Sequence, residues 1–285
     1  LATDLAGLRA NVSAWDFLAT YMLDRTDLAK QLGQADSLTA QMRAVAIWQF
    51  LNFVREQVPV GGGLPIQRTL DRALLTTRAA TEIGQPLLRR VPHEIVDNEA
   101  VGRALPPGSV HQGAALKCEP LRPVPLSEIL AQEPAGRRVI LVLDQITDPH
   151  NAGAILRSAA AFGVTAVVVQ DRHAPPESGV LAKAASGALD IVPIAAVVNI
   201  ARAMDELGDA GFWRVALAGD GDATLADTAG GVRDTALVLG SEGSGIRRLV
   251  RERCDVTATI PILPGMESLN VSNAAAVALY ELRRS

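Results

Sequence analysis

Lysine is nearly absent. Lys30, Lys117 and Lys183 are the only three among 27 basic residues, and the rest are arginines. Arginine forks suit bidentate phosphate recognition; GC-rich codon usage produces the same bias and is the weightier of the two readings. Cysteine is scarce as well. Cys118 and Cys254 lie too far apart for a zinc or redox motif, and two thiols in 285 residues fit a reducing, cytoplasmic setting. No run approaches the roughly 18 to 20 consecutive apolar residues of a membrane span. No basic-then-apolar leader stands at Leu1, although the missing initiator Met leaves room for an earlier segment. Positive charge is not in excess. With 31 Asp+Glu against 27 Lys+Arg the net charge is −4, which excludes a wholesale basic coat for nucleic acid, so any polyanion contact must come from a local patch. It does not choose between RNA and DNA.

What is present is globular. Hydrophobic residues make up 48% and charged residues 20%, and the length suits about two domains. The first 77 residues read as a helical segment. Ala44, Ile47, Trp48, Leu51, Val54 and Val58 recur at three- and four-residue steps and share one helix face. Ser13 is placed to cap an earlier helix. Trp15, Phe17, Tyr21, Trp48, Phe50 and Phe53 read as its packed core. Gly61-Gly62-Gly63 breaks that pattern. Residues 78–136 are mixed. They hold a Pro106-Pro107-Gly108 turn, a strand after His111-Gln112-Gly113, a proline-marked linker and a short helix over Leu126 to Gln132.

From residue 137 the pattern is regular α/β. Strands are expected at Val139 to Leu143, Thr165 to Val169, Ile191 to Ile194, Trp213 to Ala218, Thr235 to Leu239 and Ala258 to Ile260. Helices are expected at Ala152 to Phe162, Asn199 to Leu207 and Val271 to Arg284. Continuous apolar strands alternating with helices predict a parallel sheet buried on both faces. Ligands of such sheets bind beyond the strand C-termini.

Three loops there are rich in glycine and polar groups. The first is Asp148-Pro-His-Asn-Ala-Gly153, running into a helix with Arg157. Asn151 reads as an N-cap or as a functional amide. Arg157, within the otherwise apolar Ala-Ile-Leu-Arg-Ser-Ala-Ala-Ala, needs a partner or an anion. The second is Leu239-Gly-Ser-Glu-Gly-Ser-Gly245, which is neither a hydrolase nucleophile elbow, a dinucleotide fingerprint nor a P-loop. The third runs from Ile260-Pro261 to Ser268-Leu-Asn-Val-Ser-Asn273. It carries more small polar side chains than one N-cap requires.

Taken in order, Asn151-Ala-Gly-Ala-Ile-Leu-Arg157, Leu239 to Gly245 and Ile260 to Asn273 resemble the SpoU/TrmH branch of the SPOUT methyltransferases. Lys183-Ala-Ala-Ser-Gly-Ala188 between them is also similar, and the resemblance covers about residues 138–285. It implies an S-adenosylmethionine-dependent RNA 2′-O-ribose methyltransferase with a C-terminal trefoil knot, a homodimer formed through the knot region, and no metal. By motif position, backbone at Gly240, Ile260 and Leu269, with Ala218 and Met266 nearby, would bind the cofactor. Asn151, Arg157, Glu242, Ser268 and Asn270 would form the catalytic set. Arg157 would stabilise the developing alkoxide. Asn151, Ser268 and Asn270 would hold Arg157, the ribose or the cofactor, and Glu242 would orient Arg157 or the loop.

Val110-His111-Gln112-Gly113 resembles the end of an L30e-like RNA-recognition domain, so residues 78–136 would be a partial substrate-binding region. It favours ribosomal over transfer RNA as the substrate. The segment before it resembles a helical subdomain of UvrD/Rep-type helicases, without a Walker lysine. Two other classes remain open at this point. One is a non-catalytic RNA-binding knot protein. The other is a DNA-repair interaction module that uses the N-terminal helices.

Overall fold

The computed structural model describes residues 70–83, 88–89, 92–109, 111–133, 136–175, 178–229, 233–263 and 268–284. The helical segment expected before residue 70, with its helicase-like stretches, lies outside the described residues. The described chain belongs to two compact units that divide between Glu119 and Pro120.

In the first unit, strand β1 (Leu70–Leu75) is followed by helix α1 (Thr77–Ile83), β2 (His93–Ile95), α2 (Asn98–Arg103) and β3 (Ala114–Cys118). β1 is the central strand, parallel to β2 and antiparallel to β3. Ala73, Leu75, Ala80, Ile83 and Leu88 form its core. The helical reading of residues 1–77 therefore fails at its end, since Leu70–Leu75 is a strand. Tertiary pairing on both edges overrides a local pattern that has no clear period. The His-Gln-Gly segment is the turn into β3, with Thr76 N donating to Gly113 O at 2.7 Å.

In the second unit the chain runs through α3 (Leu126–Leu130), β4 (Val139–Asp144), α4 (Pro149–Ala161), β5 (Ala166–Gln170), α5 (Gly179–Ala185), β6 (Ile194–Val197) and α6 (Ile200–Asp209). It continues through β7 (Trp213–Leu217), β8 (Ala223–Thr224), α7 (Leu225–Ala229), β9 (Thr235–Gly240), α8 (Arg248–Arg251), β10 (Val256–Thr259) and α9 (Val271–Arg284). The seven strands form one sheet in the order β6-β5-β4-β9-β7-β10-β8, and every pairing is parallel. The expected parallel sheet is present. The strand expected over Ile191 to Ile194 begins only at Ile194, because Pro193 has no N–H to give a ladder.

Both faces of the sheet are covered, which is why β4, β5 and β9 read as unbroken apolar runs. Ile140, Val142, Val168 and Val238 pack on one face with Ile129 of α3 and Met204 and Leu207 of α6. The alternate residues Leu143, Val167 and Val169 face Ala152 and Leu156 of α4 and Leu181 of α5 around a cavity of ≈ 170 Å³. Helices α4 and α5 meet closely at Gly153. A Cβ there would lie 2.4 Å from Ala184 Cβ and 2.9 Å from Leu181 O. The N-terminal edge is tied by ion pairs, Arg138 with Asp234 at 2.7 Å and Arg214 with Asp255 at 2.6 Å. That leaves the C-terminal edge for the polar loops. Among the described residues no helix is long and apolar enough to cross a membrane.

Candidate active site

Three polar groups from the three singled-out loops meet beyond the strand C-termini. The first comes from the start of α4. Asp148, not Asn151, caps that helix, accepting from Asn151 N at 3.0 Å and His150 N at 3.4 Å, with Pro149 in the first helical position. The cap reading of Asn151 is thereby corrected. Its amide stands one turn inside the helix and is free to reach across the sheet edge.

The second group is Glu242, in the loop after β9. Ser241 and Gly245 bridge that loop through two backbone hydrogen bonds, and Gly243 and Gly245 have positive φ. Its root has no space for a side chain. A Cβ on Gly240 would meet Gly245 C at 2.2 Å and Ile246 N at 2.4 Å.

The third group is Asn270, which caps α9. Its Oδ1 accepts from Ser272 N at 3.0 Å, Ser272 Oγ at 2.5 Å and Asn273 N at 3.3 Å. Its Nδ2 donates to Glu242 Oε1 at 2.6 Å and Asn151 Oδ1 at 2.9 Å. Asn151 Nδ2 and Val271 N also donate to Glu242 Oε1, at 3.4 and 3.3 Å. The carboxylate therefore sits at the N-terminus of a long helix, where the macrodipole favours negative charge. All these bonds fall on Oε1; among the described residues no hydrogen bond to Oε2 is present.

Arg157 stands apart. It is exposed, six residues and about 9 Å of helix beyond Asn151. Among the described residues it makes no polar contact with Asn151, Glu242, Ser268 or Asn270. The burial argument for an internal partner does not apply, and Glu242 orients the two asparagines rather than the arginine. Ser268 is also exposed and outside the cluster. Met266 lies outside the described residues.

The cofactor candidates converge in part. Leu217 pairs with both Leu239 and Ala258, so Ala218, Gly240 and Ile260 lie at the ends of three adjacent strands. A Cβ on Gly219 would meet nothing within 4 Å, so there is open space at the end of β7. Leu269, next to Asn270, is partly exposed, as is Ile262. Backbone groups, open space and apolar side chains fit an adenosyl group better than a charged ligand. Among the described residues no His, Cys, Asp and Glu group is arranged for a metal. Burial pushes the Cys254 thiol up to about 12, so it is a protonated packing group at neutral pH.

The structure adds Asp148, the cap that frees Asn151. Its sequence signal was an Asp directly before Pro at a helix start. It also adds the pair Asp144 and Arg247 at the root of the Glu242 loop, for which the sequence holds no signal.

Comparison with known proteins shows the family and the fold. The SpoU rRNA methylase family profile matches residues 138–280. A 23S rRNA (guanosine-2′-O-)-methyltransferase RlmB of Xanthomonas campestris is 44% identical over 178 residues, covering 61% of this chain and 70% of the relative. The RlmB of Xylella fastidiosa is 40% identical over 232 residues, covering 80% and 88%, so the likeness extends into the first unit. The SpoU methyltransferase AviRb of Streptomyces viridochromogenes, solved in complex with AdoMet, superposes with a TM-score of 0.64 at 22% identity. That match covers 84% of this chain and 97% of AviRb and speaks for the fold. The chain belongs to the SpoU rRNA methylase family.

Proposed function

We propose that this protein transfers a methyl group from S-adenosylmethionine to the ribose 2′-hydroxyl of a guanosine in 23S ribosomal RNA. The observation that carries the reading is the Asn151–Glu242–Asn270 cluster beside Gly240. The substrate follows the RlmB relatives, of which that of Xylella fastidiosa matches into the first unit as well. When bound, the donor supplies a methyl group already activated by its sulfonium. The residues then have to present the hydroxyl. Glu242, held through Oε1, offers Oε2 as the acceptor for that hydroxyl. Arg157 stabilises the developing alkoxide as RNA brings it in. Ser268 and Asn270 position the ribose. Ala218, Gly240, Ile260, Met266 and Leu269 line the donor site, and the segment after Ile260 forms the trefoil knot. The unit before residue 120 recognises RNA, and the protein works in the cytoplasm.

The test is transfer from labelled S-adenosylmethionine into unmodified 23S rRNA and into tRNA, with the label mapped to the nucleotide. Label at a guanosine 2′-hydroxyl of 23S rRNA is expected. Label confined to tRNA, or on a base, rejects the reading.

We also propose that the protein is a homodimer through α9. Val277 and Tyr280 are 45% and 57% exposed on that helix, and Phe162 packs edge-on to Tyr280 at 6.4 Å. In a two-fold interface each substitution acts twice. Tyr280→Glu should therefore shift the protein from dimer to monomer in light scattering at micromolar concentration. A variant that stays dimeric would place the interface elsewhere.

A further inference from the structure

The loop that carries Glu242 is tied at both roots to one buried residue, by backbone pairing at one and by a carboxylate at the other. Asp144, the last residue of β4, is fully buried. Its register partner in β9 is Gly240, where the loop begins. Its side chain takes the other root: Arg247 N donates to Oδ2 at 2.8 Å and Arg247 Nε to Oδ1 at 2.7 Å, with Nη2 2.6 Å from Oδ1. A carboxylate out of water persists only when it is paired and hydrogen-bonded, and these three donors meet that need. Charge-assisted bonds to a rigid fork fix direction as well as distance. Only residues 241–246 lie between the roots, and the Ser241–Gly245 bonds cross-link them. A shift at Arg247 thus has a short, stiff path to Glu242. On its other side Asp144 leads through Gln145, at φ 61, to Asp148, the cap that sets Asn151.

We propose that Asp144 and Arg247 are a positioning clamp for methyl transfer. They hold Glu242, and through it Asn151 and Asn270, where the ribose hydroxyl is engaged. The clamp rests on the reading of the site given above, and neither residue touches the reacting atoms. Lysine keeps the charge but lacks the fork, so it cannot replace Arg247 fully.

The test uses the full chain and four variants: Arg247→Met, Arg247→Lys, Glu242→Ala and the Arg247→Met/Glu242→Ala double variant. Arg247→Met should lower kcat about 30-fold, since small misplacements near reacting groups cost up to about a hundredfold. KM for RNA should stay within about threefold of wild type, and Arg247→Lys should recover only part of kcat. In the Glu242→Ala background the same Arg247→Met change should cost less than about threefold, because residues acting through one another are not additive. A merely structural residue would cost the same in both backgrounds. Hydrogen exchange gives a readout independent of activity. Amides of 241–246 should exchange at least about tenfold faster in Arg247→Met while β4 and β9 stay protected. Additive losses, or unchanged exchange in that loop, overturn the clamp. A wild-type protein that methylates no RNA overturns the reading of the site instead, and loop exchange then still decides whether the pair holds the loop.

Discussion

Arg157→Ala is expected to lower kcat for methyl transfer by about 10² to 10³, the range seen when one preorganised group facing a developing oxyanion is removed. The fold should hardly notice. Arg157 is exposed and joins none of the polar contacts of the described cluster, so its truncation should change stability by no more than about 0.5 kcal/mol. This separation makes the variant informative. An arginine that served only the fold of α4 would lower the melting temperature and leave turnover alone. Donor binding by calorimetry should also be unchanged, because the donor candidates lie at the ends of β7, β9 and β10. Arg157→Lys should retain part of the rate, since it keeps the charge without the fork. Turnover of the alanine variant within threefold of wild type would remove Arg157 from the chemistry.

Gly240→Ala should damage the same activity by a different route. The added methyl would lie 2.2 Å from Gly245 C, 2.4 Å from Ile246 N and 2.5 Å from Gly245 O. These are backbone atoms on the return arm of a bridged loop, with no flexible end to swing away. The loop must move, and the Ser241–Gly245 bonds and the placement of Glu242 move with it. Overpacking of this kind costs about 1–3 kcal/mol. The melting temperature should fall by about 2–4 °C for each kcal/mol in a domain of this size. Methyl transfer should fall by at least about a hundredfold, from the displaced carboxylate. Donor affinity should drop too, which distinguishes this variant from Arg157→Ala. Gly179 is a suitable control, since a Cβ there would meet nothing within 4 Å. A Gly240→Ala protein with normal melting and normal donor affinity would mean that the loop yields freely and does not position the site.

Much of this was legible from residue order. Helix α9 runs over the expected Val271 to Arg284 because the apolar period is regular and the polar run before it supplies a cap. The excess of small polar groups there also proved meaningful, since Asn270 caps the helix with one end of its amide and reaches Glu242 with the other. Asn151 was harder. Both Asp148 and Asn151 are competent caps, and only the backbone decides which one stands outside the helix. Strand β1 was missed because Leu-Asp-Arg-Ala-Leu-Leu alternates too weakly to declare a strand, and its partners β2 and β3 lie far along the chain. β8 has two residues and exists only through its pairing with β10. The identity of Glu242's partners was out of reach for the same reason. The family resemblance and opposite charge pointed to an arginine as the mate of the carboxylate, and only the folded sheet edge brings two asparagines to it instead.

The cluster joins residues 91 and 119 positions apart. Its last contributor, Asn270, leaves the ribosome more than a hundred residues after its first. During synthesis the sheet can begin to assemble from β4 onward, since domains condense as their parts appear. The polar cluster cannot close until α9 has been made and has docked. Such long-range contacts form late and slowly. A nascent chain therefore carries no premature site, and newly made protein should gain activity with a lag that follows docking of α9.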